Sequence, residues 1–226
     1  MRKRVPPLIL FVVLLAVSCD QSPKSPAVTP ATPTPQTPPP STKKTILFFG
    51  NSLTAGYGVS PTEAFPALIG ERIDSLHLPY RVVNAGLSGE TSAGGKSRIG
   101  WVLRTPVSIF VLELGANDGL RGIPLTGTTA NLQAIIDSVK TRYPDARIVL
   151  AGMQIPPSMG ADYATAFSKL FPKLAAANHA ALIPFLLQNV GGIPQLNQGD
   201  GIHPTAPGHR LVAENVWQIL APLLKN

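Results

Sequence analysis

Hydrophobic and polar positions divide the chain into three stretches of different character. At the start, Arg2, Lys3 and Arg4 precede the apolar run LILFVVLLAV at residues 8–17. About ten apolar residues are too few to span a bilayer as a mature helix. A basic start followed by a short apolar stretch is the pattern of a secretory signal peptide, expected over residues 1–18. Residues 19–44 have no periodicity. From residue 45 onward, short apolar runs return at regular intervals: Thr45–Gly50 (TILFFG), Tyr80–Ala85 (YRVVNA), Val107–Gly115 (VSIFVLELG), Arg147–Met153 (RIVLAGM) and Ala181–Phe185 (ALIPF). Continuous β-branched and aliphatic runs of this length suit strands covered on both faces, as in a parallel sheet.

Helical periodicity fills the gaps. Pro61–Leu76 carries Phe65, Leu68, Ile69 and Ile73 on one stripe, and Thr129–Tyr143 carries Leu132, Ile135, Ile136 and Val139. Asp162–His179 and Pro207–Leu224 also read as helices, with Pro172 expected to start or kink a helix within the former. Residues 90–103 are a helical segment interrupted by Gly94, Gly95 and Gly100. Five strands alternating with five helices predict a doubly wound α/β domain over residues 45–226. Right-handed crossovers leave few topologies, and the expected one is a flavodoxin-like parallel five-stranded sheet of order 2-1-3-4-5 flanked by helices. In such a sheet a site lies beyond the carboxyl ends of the strands.

Composition changes the picture at the N-terminal side. Residues 21–42 read QSPKSPAVTPATPTPQTPPPST. Proline removes backbone donors and favours extended polyproline II, so residues 19–44 are expected to be a semi-rigid tether. The single cysteine, Cys19, stands where the apolar run ends. It can form no internal disulfide and no thiolate cluster, so the domain must stand on packing alone. The net charge of +7 is also local, because six of the 19 Lys and Arg and one of the 12 Asp and Glu precede Thr45. What remains is a nearly balanced domain without a long basic run, which argues against nucleic acid as a partner.

Candidate chemistry collects in four loops. Gly50-Asn51-Ser52-Leu53-Thr54 follows the first strand, Asn84-Ala85-Gly86 ends the second, and Gly115-Ala116-Asn117-Asp118 ends the third. Asp200-Gly201-Ile202-His203-Pro204 lies before the last helix. A serine hydroxyl is a weak nucleophile that needs a base beside it, and His203 can supply one to Ser52. Asp200, three residues earlier, can accept the other ring N–H and fix the tautomer. The backbone N–H groups of Ser52 and Gly86 and the side-chain amide of Asn117 are candidate donors to an oxyanion. Asp118 is expected to be structural and to pair locally with Arg121. His77 and His179 fall near helix ends, where surface positions are expected. His209 lies near the start of the last helix, and no second ligand cluster accompanies it, so no metal site is expected.

These segments resemble the conserved blocks of the SGNH (GDSL) hydrolases. FFGNSLTAGYG is similar to block I, NAGLSGETSAGG to block II with Gly86 as its oxyanion glycine, LGANDGLRG to block III with Asn117, and DGIHPTAPGH to block V with Asp200 and His203. The wording is nearest to the branch of bacterial thioesterases, lysophospholipases and arylesterases. The resemblance implies a serine esterase that cleaves acyl esters or thioesters, lysophospholipids among them, through an acyl-enzyme and with no cofactor. Asn51 departs from the family form by replacing the Asp of GDSL, and it suits a helix N-cap equally well. The α/β-hydrolase elbow G-x-S-x-G does not fit, since Thr54 stands in place of its last glycine. Ala16-Val17-Ser18-Cys19 resembles a lipobox. It implies lipidation of Cys19 and a bacterial lipoprotein anchored in a membrane, facing the periplasm or the cell exterior. A carbohydrate O-deacetylase and a non-catalytic surface binding module are the alternative expectations.

Overall fold

A computed structural model describes residues 43–224, within the second of two units, Met1–Pro40 and Ser41–Asn226. The expected signal peptide (1–18), the lipidation candidate Cys19 and nearly all of the 19–44 tether lie outside the described residues.

Five parallel strands lie in the order β2-β1-β3-β4-β5: β1 (Lys44–Gly50), β2 (Tyr80–Gly86), β3 (Ile109–Glu113), β4 (Arg147–Ala151) and β5 (Ala181–Ile183). This is the flavodoxin-like order expected from the alternating pattern. Beyond Lys44, every residue of β1 is buried, as is all of β3, which accounts for their unbroken apolar runs. The edge strand β2 is only partly buried over Arg81–Gly86 and carries more polar residues. Register matters for the site: Gly50 pairs with both Gly86 and Glu113, so the carboxyl ends of β1, β2 and β3 finish level.

The helices form two groups. One pairs α2 (Phe65–Ser75) with α7 (Ala206–Leu220). In the other, α3 (Ser92–Val102) meets α5 (Leu125–Arg142), which also touches α6 (Ala161–Asn178). Adjacent residues of a strand face opposite sides of a sheet, and β1 uses this directly. Phe48 packs edge-on against Phe65 of α2, with centroids 5.6 Å apart, while Phe49 lies against Phe110 of β3 and faces Gly95 of α3. Two single-turn helices, α1 (Ser52–Ala55) and α4 (Ala116–Leu120), follow β1 and the loop after β3.

Several boundaries differ from the sequence reading. β5 stops at Ile183 because Pro184 brings no N–H to continue the ladder. α5 begins at Leu125, four residues before the expected start at Thr129. α6 runs through Pro172 as one helix. That proline lies on the exposed face, where water can replace the missing donor. His77 and His179 are exposed and occupy left-handed positions just beyond α2 and α6, as their place at helix ends suggested.

Two glycines of α3 give opposite predictions. A Cβ on Gly95 would meet Leu114, Phe49 at 3.1 Å and Ile135 at 3.3 Å, whereas a Cβ on the exposed Gly100 would meet nothing within 4 Å. Gly100→Ala should stabilise by roughly 0.5–1 kcal/mol through helix propensity. Gly95→Ala should destabilise by about 1–3 kcal/mol, because overpacking outweighs the same propensity gain. Urea midpoints at constant m-value read both.

Candidate active site

The first site loop is built by a helix start. Asn51 caps α1, with its Oδ1 accepting from Leu53 N–H at 3.0 Å, and Gly56 (φ 78°) closes the turn by donating to the Ser52 carbonyl. Ser52 is therefore the first residue of a rigid turn at the tip of the central strand. Beneath it sits Glu113, the last residue of β3. Its carboxyl accepts from Asn51 Nδ2 at 2.7 Å, Asn51 N–H at 3.1 Å and Thr54 Oγ1 at 2.8 Å. Complete burial pushes this carboxyl up to about 7, against the pull of the Thr54 and Asn51 hydrogen bonds. Sequence reasoning missed Glu113, which stands inside an otherwise apolar run.

The second loop folds on its own aspartate. Asp200 Oδ1 accepts from the N–H groups of Ile202 (3.0 Å) and His203 (3.1 Å), with Gly201 between them at φ 75°. Oδ2 is left for the imidazole, and Nδ1 of His203 lies 2.6 Å from it. The His203 ring hydrogen bond and then the Ile202 N–H hold the Asp200 carboxyl down at about 2, so it stays ionised at any pH of ordinary use. Nε2 of His203 is 2.8 Å from Ser52 Oγ. An imidazole that donates from Nδ1 to a carboxylate presents a lone pair at Nε2 to the hydroxyl. Gln198 ties this loop to the first one. Its Nε2 donates to the carbonyls of Tyr57 (2.7 Å) and Pro204 (3.0 Å), and the Tyr57 ring lies 4.7 Å from that of His203.

Asn117, in α4, lines the same cavity as Ser52 and His203. One amide N–H donates to the Glu90 carbonyl at 3.0 Å, which orients the group. Glu90 is itself clamped by Arg98, whose Nε and Nη2 donate to its two carboxyl oxygens while Nη2 also reaches the Ala85 carbonyl.

Gly86 departs from expectation: it is not among the residues lining the cavity, and its N–H donates to Asn84 Oδ1 at 2.9 Å. Its glycine character has another cause, since a Cβ there would collide with the Ala55 backbone. Gly89, three residues on and at φ 80°, is the glycine of this loop that lines the cavity. Asp118 also differs from its expected local pairing. It is buried and accepts from Ser92 N–H (2.8 Å), Ser92 Oγ (2.5 Å) and Thr128 Oγ1 (3.3 Å), so it joins α4 to α3 and α5, while Arg121 reaches the Gly89 carbonyl. His209 is buried and bonds neither Asp200 nor His203. Its Nδ1 accepts from Phe65 N–H at 3.3 Å, at the start of α2, and burial pushes its imidazole down to about 4.

The cavity holds about 490 Å³. Ser52, Asn117 and His203 are part of its polar lining, and Leu120, Met153, Ile155, Pro156, Phe185 and Leu187 supply apolar wall. The last two belong to the connection between β5 and α7, which sequence reasoning had not linked to the site.

A carboxylate, an imidazole and a hydroxyl in hydrogen-bonded sequence, beside an oriented amide at the carboxyl edge of a parallel sheet, define the serine hydrolase class of site. The chain belongs to the GDSL-like lipase/acylhydrolase family, whose pattern matches residues 48–211. It is 40% identical to Esterase TesA of Pseudomonas aeruginosa over 182 residues, which cover 80% of this chain and 90% of that one. It is 38% identical to the Thioesterase 1/protease 1/lysophospholipase L1 of Escherichia coli (strain K12) over 183 residues, 80% and 86% of the two chains. Among solved structures, the psychrotrophic esterase EstA from Pseudoalteromonas sp., in a form inhibited by monoethylphosphonate, superposes with a TM-score of 0.76 at 30% identity, covering 81% of this chain and all of that one.

The oriented amide generates a prediction. Asn117→Ala should lower kcat by roughly a hundred- to a thousandfold with a much smaller change in KM, the pattern of a donor that acts mainly in the transition state. Steady-state kinetics on a p-nitrophenyl ester separate the two constants.

Proposed function

We propose that the protein is a serine esterase in which Ser52 is the nucleophile, His203 the general base and then acid, and Asp200 the group that orients the imidazole. The observation that carries this reading is the Asp200–His203–Ser52 series, with separations of 2.6 and 2.8 Å, opening onto a largely apolar cavity. Ser52 Oγ attacks the acyl carbonyl as Nε2 of His203 takes its proton. The oxyanion lies against the Ser52 N–H, the Asn117 amide and the Gly89 N–H, the last in the role first assigned to Gly86. The imidazolium returns the proton to the departing alcohol or thiol, and an acyl-enzyme remains. Water, deprotonated by the same imidazole, attacks the acyl carbon, and collapse of the second tetrahedral intermediate frees the carboxylic acid and restores Ser52. The anionic Asp200 stabilises the imidazolium in both halves. Nucleophile, base and oxyanion donors all come from the chain, so the reaction needs no metal and no organic cofactor.

The substrate class follows from the wall. Residues such as Met153, Ile155, Phe185 and Leu187 offer an acyl chain an apolar bed in the same cavity as Ser52 and His203. We assign the enzyme to medium and long acyl esters or thioesters, a class that includes lysophospholipids. Inhibition of the EstA relative by monoethylphosphonate supports the same chemistry here, since a phosphonate captures a serine nucleophile.

The address is a separate proposal. A basic start, a short apolar run and Cys19 ahead of a Pro/Thr-rich stretch support a lipoprotein whose mature N-terminus is a lipidated Cys19, with the enzyme held at a bacterial membrane on a tether and facing the periplasm or the exterior. Two or more acyl chains on one residue are enough for stable attachment, where a single chain is marginal.

Ser52→Ala should abolish fluorophosphonate labelling and lower turnover by several orders of magnitude while leaving the fold intact. Continued labelling of that variant would place the nucleophile elsewhere. Across p-nitrophenyl esters from acetate to palmitate, kcat/KM should peak at medium or long chains, and activity confined to acetate would instead indicate an O-deacetylase. Palmitate fed to cells expressing the full chain should label it, and Cys19→Ala should remove both label and membrane association. An unlabelled, wholly soluble protein would overturn the anchor.

A further inference from the structure

We propose that Glu113 is a positioning residue that fastens the nucleophile turn through Asn51 and Thr54, and that the Asn51 amide is matched to it as a donor where an aspartate would need a shared proton. The proposal rests on the reading of Ser52 as nucleophile. Glu113 touches no substrate. It lies at the end of β3, 1% exposed, and the groups it faces include the backbone N–H and Nδ2 of Asn51 and the hydroxyl and backbone N–H of Thr54. All of these are donors and none of them titrates in the working range, so the contacts call for a carboxylate with acceptor oxygens only. Its raised pKa, about 7, follows from burial and means that this form gains ground as the solution becomes neutral and then alkaline.

The contacts do more than fill a void. With Nδ2 held by Glu113 Oε1, the Asn51 amide can present only Oδ1 to the other side. That oxygen takes the Leu53 N–H at 3.0 Å and lies 3.4 Å from Ser52 Oγ. The side-chain orientation that caps α1 is therefore fixed by Glu113. Thr54, on the next part of the same turn, is held by the other carboxyl oxygen. No side chain fits at Gly50, because its Cβ would fall within the contact between Thr54 and Glu113. The turn that carries Ser52 is thus clipped on both sides to one buried anion.

Replacing Asn51 by the family's Asp would set two carboxyl oxygens where Nδ2 and Oε1 now lie, 2.7 Å apart. Such a pair holds one proton between its members above the ordinary carboxylate range and breaks apart when that proton leaves. The native Asn51–Glu113 pair has no such requirement.

The test is a reciprocal exchange. Glu113→Gln puts an amide against donors on both sides. Its oxygen can serve Asn51 N–H and Thr54, which leaves its NH₂ facing the Asn51 NH₂. This variant should lose roughly ten- to a hundredfold in kcat, as for uncoupled neighbours in one hydrogen-bond network, with KM nearly unchanged. Asn51→Asp alone should add an alkaline fall in kcat that the native enzyme lacks. The double variant Asn51→Asp/Glu113→Gln restores donor to acceptor with the polarity reversed. It should recover most of the native kcat and lose the alkaline fall. If Glu113→Gln does not fold, recovery of folded, fluorophosphonate-reactive protein in the double variant supports the proposal equally.

A double variant no better than the worse single, or an Asn51→Asp enzyme with the native pH profile, would overturn it. Labelling of Ser52→Ala in parallel separates this failure from failure of the nucleophile assignment, because only the latter leaves label on that variant.

Discussion

Parallel pairing around β1 is the constraint on which the rest depends. A strand buried on both faces must satisfy its backbone entirely within the sheet, and here β1 does so against β2 on one side and β3 on the other. All strands then point the same way, and their carboxyl ends form one edge. Because the register sets Gly50 level with Gly86 and Glu113, three turns leave the sheet at one height. Ser52, Gly89 and Asn117 inherit their proximity from that alignment. The close approach of the strand ends also dictates residue size, since neither Gly50 nor Gly86 has room for a Cβ.

On this frame, the groups proposed to react are held in place by their neighbours. Asp200 serves two ends at once, one oxygen shaping its own loop and the other holding the imidazole. Gln198 bridges the Tyr57 and Pro204 carbonyls and so sets the spacing between hydroxyl and base. Arg98 and Glu90 orient Asn117 through a backbone carbonyl, with the guanidinium lying 4.3 Å over the Phe49 ring of the core. Each support is polar and hydrogen-bonded, and where it is enclosed, as Glu90 is, such bonding adds rigidity.

Much of this was legible before the structure. Apolar runs located every strand, most plainly the central β1 and β3, where burial on both faces leaves no alternation. The strand order followed from the handedness of crossovers, and Ser52, Asn117, Asp200 and His203 were readable from their motifs and places in the loops. Other features depended on the path of the chain rather than on its letters. Gly86 and Gly89 are both glycines in one short loop, and only the backbone reveals that the first is small to admit Ala55 while the second faces the cavity. Glu113 was hidden by its apolar neighbours. Asp118 was assigned to the nearest cation in sequence, yet it bonds Ser92 and Thr128 across a helix interface. Leu187 of the cavity wall lies in a connection without periodicity, and Phe185 closes the fifth apolar run, where nothing tied it to the site.

The separation of the two halves of the relay along the chain carries a consequence for biosynthesis. Ser52 and His203 are 151 residues apart, while Asp200 and His203 are only three apart. A domain generally folds as a unit, so the strand ends are not fixed until the later segments are made. Ser52 is made long before the base proposed for it. On the proposed mechanism, Ser52 stays an ordinary alcohol until the last helix docks and carries its preceding loop to the sheet edge. Reactivity at that hydroxyl would then be a product of finished folding, and a truncated or stalled chain that ends before His203 would have no means of attacking the esters around it.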